Sequence, residues 1–217
     1  MKSGLTELVF ILDKSGSMSG LEADTIGGFN SMLEKQKAVL GECCITTVLF
    51  AHDYELLHDR IDIRGVRSIG EREYQVGGNT ALLDAIGKAI HKVSKVQKNT
   101  AEEFRAEKVL FVIITDGEEN ASREYSAEMI KERVEHKKKK YGWEFIFLGA
   151  NIDAVAAAHR FGIAVDRAQD FHPDREGLSL SFMAMSDAVS MFREESAVPL
   201  DWNAALQQDF KRRGRRK

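Results

Sequence analysis

The chain has 217 residues, 43% of them hydrophobic and 30% charged, with a formal net charge of −3. A chain of this length buries roughly 70% of its unfolded surface and folds as one domain without a staple. Ordinary apolar content and only two prolines exclude disorder for most of it. No apolar run approaches the ~20 residues that cross a bilayer. The Leu8–Leu12 cluster, followed by Asp13, is too short for an export signal, so the expectation is a cytoplasmic protein.

Strand-like and helix-like stretches alternate. Leu8-Val9-Phe10-Ile11-Leu12 is a continuous apolar run, suited to a strand buried on both faces. A helical pattern follows, with Ile26, Phe29 and Leu33 on one face, ending near Gly41. Ile45 to Phe50 reads as a β-branched-rich strand, paired as a hairpin with Tyr54 to Ile63 across Ala51-His52-Asp53. Leu83, Ile86, Ile90 and Val93 mark a helix from Thr80 to about Val96. Val109 to Thr115 is the most strand-like run of all. Ser126 reads as the N-cap of a helix that ends in four lysines, Lys137 to Lys140, placed at the negative end of its dipole and read as a solvated end.

The alternation continues with a strand at Trp143 to Leu148, a helix at Asp153 to Phe161 and a short strand at Ala168 to Phe171. Leu178, Phe182, Met185, Val189 and Phe192 then mark a long helix. This order predicts a mostly parallel sheet with helices on both faces and one antiparallel edge strand from the hairpin. Residues 1–195 form the predicted domain, and 196–217 a C-terminal amphipathic segment with a basic tail. In that segment Trp202, Ala205, Leu206 and Phe210 fit one face of a short helix, either packed on the domain or docking a partner.

Two adjacent cysteines, Cys43 and Cys44, make no disulfide framework and are read as small apolar strand residues. The six histidines show no ligand spacing. Six basic side chains lie in Lys211–Lys217, leaving the body more acidic than the whole. Nucleic-acid affinity is therefore excluded from the body and left only to the tail.

Functional side chains in open parallel sheets gather at the carboxyl ends of the strands. The segments placed there are Asp13-Lys14-Ser15-Gly16-Ser17, Gly77-Gly78-Asn79-Thr80 and Asp116-Gly117. They offer only hard oxygens: the carboxylates of Asp13 and Asp116 and the hydroxyls of Ser15, Ser17 and Thr80. Such a set favours Mg²⁺, with Mn²⁺ or Ca²⁺ as alternatives, over zinc or copper. Gly16 is read as the point where the loop bends. Two carboxylates neutralise a divalent cation, and a ligand position left open can accept a carboxylate from another protein. Glu118 and Glu119, just beyond the metal loop, are read as solvated, or as discouraging a wrongly placed acid. Rival readings are a Mg²⁺-dependent phosphoryl-transfer hydrolase with Asp13 as nucleophile, and a scaffold that uses no metal. Against the hydrolase, the position two residues after Asp13 is Ser15, not the second acid that such sites employ. Gly16-Ser17-Met18-Ser19-Gly20 has Met where a serine-hydrolase elbow needs Ser.

Asp13-x-Ser15-x-Ser17 with Thr80 and Asp116 resembles the metal-ion-dependent adhesion site of von Willebrand factor type A (vWA) domains. The strings Phe-Ile-Leu-Asp-Lys-Ser-Gly-Ser-Met-Ser-Gly and Val-Ile-Ile-Thr-Asp-Gly-Glu-Glu-Asn resemble its bacterial stand-alone members. The resemblance covers about residues 5 to 193 and all five motif positions. It implies a Rossmann-like α/β fold with a six-stranded, mostly parallel sheet and Mg²⁺ at its carboxyl edge. It further implies a protein-binding role without catalysis, as an intracellular adaptor or assembly factor. Its partners would supply Asp or Glu to the metal, an AAA-type ATPase or a stress-operon protein among them.

Overall fold

A computed structural model describes residues 1–214. Arg215, Arg216 and Lys217 of the basic tail lie outside the described residues. Six strands and six α-helices alternate: β1 (Lys2–Asp13), α1 (Glu22–Ala38), β2 (Cys43–Phe50), β3 (Tyr54–Asp62), α2 (Leu82–Asn99), β4 (Ala106–Thr115), α3 (Ala127–Tyr141), β5 (Glu144–Gly149), α4 (Ala154–Arg160), β6 (Ala168–Asp170), α5 (Arg175–Glu195) and α6 (Ala204–Arg213). They form one sheet in the order β3-β2-β1-β4-β5-β6. Every neighbouring pair is parallel except the antiparallel hairpin β2–β3 at the edge.

The central strand explains its own sequence. Leu8, Phe10 and Leu12 of β1 face a core shared with Phe29 and Leu33 of α1 and Leu178, Met185 and Val189 of α5. Val9 and Ile11 face the opposite core, with Ile86 and Ile90 of α2, Ile130 and Val134 of α3 and Ala154 and Ala158 of α4. A strand covered on both faces can be apolar at every position, as this run is. Just before the run, a charged side chain is buried as well. Glu7 is fully buried and held by Arg60 Nε–H at 2.9 Å and Gln97 Nε2–H at 2.7 Å.

Boundaries differ where tertiary contacts decide them. β1 starts at Lys2, whose N–H donates to Arg105 O at 2.8 Å, and its register shifts before Thr6. α2 starts at Leu82 rather than Thr80, because the backbone of Thr80 is bound to Asn120 and Ala121 instead of to the helix. Ser126 caps α3 as expected, its hydroxyl accepting Met129 N–H, and Gly142 closes that helix in the left-handed conformation. The C-terminal segment packs on the domain. Trp202 and Leu206 join the α1–α5 core, and Trp202 Nε1–H donates to Asp166 O at 2.8 Å. Arg213, read as solvated tail, is half-buried and bridges Asp209 at 2.6 Å and Asp174 at 2.8 Å. Both cysteines are buried and free. Among the described residues no helix is long and apolar enough to cross a membrane.

The strand order reverses between β1 and β4, which lie side by side with Leu12 opposite Ile114. Their carboxyl ends, Asp13 and Thr115-Asp116, therefore emerge together at the switch point of the sheet.

Candidate metal centre

Asp13 ends β1 with 1% of its surface exposed. Both carboxylate oxygens are engaged: Oδ1 accepts Ser15 N–H at 2.7 Å and Oδ2 accepts the Thr115 hydroxyl at 2.5 Å. The first bond folds the loop back on its own aspartate, the local habit of Asx turns. The Tyr74 hydroxyl donates to the Asp13 carbonyl from 61 residues away. Two backbone bonds tie the loop to the neighbouring Gly77-Gly78 segment: Gly16 N–H to Gly78 O at 2.9 Å and Gly77 N–H to Lys14 O at 2.8 Å. The left-handed bend lies at Gly78 (φ +80°), not at Gly16. A Cβ at Gly78 would also sit 2.3 Å from His52 Nδ1.

The hydroxyls follow in a chain. Ser15 Oγ lies 3.0 Å from Ser17 Oγ, and Ser17 Oγ–H donates to Asp116 Oδ1 at 2.5 Å. Thr80 is 3% exposed, held by Asn120, whose Oδ1 accepts Thr80 N–H and whose N–H donates to Thr80 O, both at 3.0 Å. Ser17 and Thr80 converge on Gly117, where an added Cβ would lie 3.1 Å from Ser17 Oγ and 3.3 Å from Thr80 Oγ1. All five expected positions thus come to one end of the sheet.

The electrostatics of this cluster are uncompensated. Asp116 is 1% exposed, and its Oδ2 has no hydrogen-bond partner. Burial, with the nearby Asp13 charge adding to it, pushes the Asp116 carboxyl up to about 6. Burial also raises Asp13, against the pull of its hydrogen bonds from Ser15 and Thr115. The nearest lysine in the loop, Lys14, is turned away and paired with Glu55 at 2.5 Å. An orphaned carboxylate oxygen, a second buried carboxylate and three neutral hydroxyls are a donor set that fits a small hard cation. Among the described residues no three His, Cys, Asp or Glu side chains gather as a metal cluster. A cation here would thus have two carboxylates at most.

Several residues that build the site escaped the sequence reading. Thr115 orients Asp13, and its place in the Thr-Asp-Gly string was the available signal. Glu119 is not solvated. Its carboxylate accepts Leu83, Ala121 and Ser122 N–H and the Ser122 hydroxyl at 2.7–2.9 Å, so it caps α2 beside the site. Glu118 is exposed. Asp84 fixes the same loop from the other side by accepting Arg123, Glu124 and Tyr125 N–H at 2.9–3.0 Å.

No protein-family model matches the chain, and no curated protein is detectably similar to it in sequence. Solved structures do match its shape. The minor pilin PilB of Streptococcus sanguinis aligns at TM-score 0.61 and 12% identity, over 88% of this chain and 63% of the pilin. A von Willebrand factor type A protein of Catenulispora acidiphila aligns at TM-score 0.54 and 15% identity, over 86% of this chain and 42% of that one. The conserved hypothetical protein BatB of Bacteroides thetaiotaomicron aligns at TM-score 0.52 and 16% identity, over 88% of this chain and 100% of that one. The chain spans less than two thirds of the first two. These likenesses show the fold, which is that of vWA domains.

Proposed function

We propose that this chain is a protein-binding module that holds a divalent cation, Mg²⁺ before Mn²⁺ or Ca²⁺, through Asp13, Ser15, Ser17, Thr80 and Asp116. The cation then captures an Asp or Glu side chain of a partner protein. The observation that carries the reading is the charge imbalance at the sheet edge. Two buried carboxylates share one small space, no cation among the described residues answers them, and one Asp116 oxygen is left without a partner. When bound, the ion supplies the missing positive charge and a Lewis-acidic position for an external oxygen. The chain's own residues do the rest. Thr115 and Ser15 hold the Asp13 carboxylate in one orientation, and Ser17 does the same for Asp116. Asn120 fixes the backbone that presents Thr80.

Binding rather than hydrolysis is the reading because the position two residues after Asp13 is Ser15, not the second acid that phosphoryl-transfer sites employ. The vWA fold favours the same role. We read the partner class as an intracellular assembly such as an AAA-type ATPase or a stress-operon protein. The test is affinity capture with and without EDTA, followed by identification of the captured protein and substitution of its acids by amides. Capture should vanish with EDTA, with Asp13→Ala, with Asp116→Ala and with one acid-to-amide change in the partner. Capture indifferent to all four would overturn the proposal.

A further inference from the structure

A cavity of about 880 Å³ opens at the opposite end of the sheet from the candidate metal centre. It lies between the last turns of α2 and α3 and the start of β4. Its volume falls within the roughly 300–1,000 Å³ of small-molecule sites. Five cationic side chains line it, Lys95, Lys98, Arg105, Lys137 and Lys140, against two carboxylates, Glu102 and Glu107. That excess of positive charge stands on a chain whose net charge is −3.

The bland role for such lysines is to serve the negative ends of the two helices. Here part of each end is served by other groups. In α3, Gly142 N–H donates to Lys138 O at 3.0 Å and Trp143 N–H to Lys137 O at 3.4 Å. In α2, Thr100 donates its N–H and its hydroxyl to Val96 O, and Arg105 donates to Lys98 O and Thr100 O. The ammonium groups of Lys95, Lys98, Lys137 and Lys140, by contrast, form no hydrogen bond or ion pair among the described residues. Lys137 instead rests over the Tyr141 and Trp143 rings, 4.7 and 5.0 Å from their centroids, and Lys140 over Tyr141 at 5.3 Å. Burial, with Lys140 and Arg133 nearby, holds the Lys137 ammonium below its ordinary value. Tyr141 is half exposed and lines the cavity beside these ammonium groups.

Clustered cations without partners repel one another, and a bound polyanion relieves that cost. An exposed aromatic wall beside them adds a stacking surface for a planar ring. The volume of about 880 Å³ suits a compact polyanion rather than a long one such as nucleic acid. We propose that this cavity binds a nucleoside diphosphate or triphosphate, its phosphates among Lys95, Lys98, Lys137 and Lys140 and its base against Tyr141. The site is independent of the metal centre.

The test is calorimetric titration of the full chain in EDTA with three probes: ADP, pyrophosphate and adenosine. EDTA removes any bridging through a divalent ion. ADP should bind saturably and more tightly than either fragment. Lys137→Gln with Lys140→Gln should weaken ADP at least tenfold, about 1.4 kcal/mol. Lys95→Gln with Lys98→Gln, on the other wall, should do the same, which guards against a local effect of one pair. Tyr141→Ala should weaken ADP and leave pyrophosphate unchanged, and Asp116→Ala should change neither. Absence of saturable ADP binding at millimolar concentration would overturn the proposal. So would ADP affinity indifferent to both lysine pairs, or pyrophosphate binding as tightly as ADP.

Discussion

Asp116→Asn should stabilise the metal-free protein at neutral pH, and the size of the gain follows from the site. Asp116 is 1% exposed, and its carboxyl titrates at about 6 in the folded chain instead of the ordinary 3.8, chiefly because burial penalises the anion. A folded-state value above the unfolded one means that the folded chain binds the proton more tightly. The stability this group contributes is complete below about pH 4 and is lost as the pH rises through about 6. At about 1.4 kcal/mol per tenfold in proton affinity, the whole loss is about 3 kcal/mol. Roughly 1.4 kcal/mol of it falls between pH 5 and pH 7.5. Asparagine carries no charge and keeps an oxygen for the Ser17 hydroxyl. Urea unfolding in EDTA at the two pH values, for wild type and variant, cancels the titrations that the two share. The wild type should lose about 1.4 kcal/mol relative to the variant between them. A difference that stays constant, or that moves in favour of the wild type, would refute the claim that Asp116 is an uncompensated buried carboxyl.

Other perturbations address the surroundings of the site and the core. Gly117→Ala places a methyl 3.1 Å from Ser17 Oγ and 3.3 Å from Thr80 Oγ1, so it should cut Mg²⁺-dependent stabilisation while the melting temperature in EDTA changes little. Asp84→Ala removes the acceptor of three backbone N–H groups beside α2, and should cost about 3 kcal/mol in denaturant unfolding. Cys43 and Cys44 are buried, with thiols pushed up to about 12 and about 11, chiefly by that burial. A disulfide reagent at pH 8 should therefore label them only as fast as the chain unfolds, and rapid labelling of the native protein would contradict the packing.

Much of this architecture was legible because local patterns and long-range contacts agree. The Leu8–Leu12 run, the helix of Leu83, Ile86, Ile90 and Val93, and the Ser126 cap all follow from periodicity and capping chemistry. The nearness of Asp13, Ser15, Ser17 and Asp116 was legible because they sit at the ends of two strands that an open parallel sheet places side by side. What escaped is what distant segments do for one another. Thr80 looks like the opening of a helix, yet Asn120, 40 residues on, holds its backbone outside it. Tyr74 bonds the Asp13 carbonyl with no motif around it. Glu119 reads as a solvated acid until α2 is seen to need a cap. At Gly28 in α1 a Cβ would lie 2.2 Å from the Phe182 ring, so the glycine lets α1 and α5 close. The lysines at the end of α3 read as dipole partners, and only the folded chain shows Lys137 and Lys140 resting over the Tyr141 ring.

Titration of the metal-free chain with Mg²⁺, and with Mn²⁺ as a spectroscopic substitute, bears on the metal centre itself. One ion should bind per chain, and at about 100 times its Kd should stabilise the fold by about 2.7 kcal/mol. Asp13→Ala and Thr80→Ala should each weaken binding by tenfold or more. No saturable binding at millimolar ion, or binding that both variants leave untouched, would contradict the assignment of these five side chains to a cation.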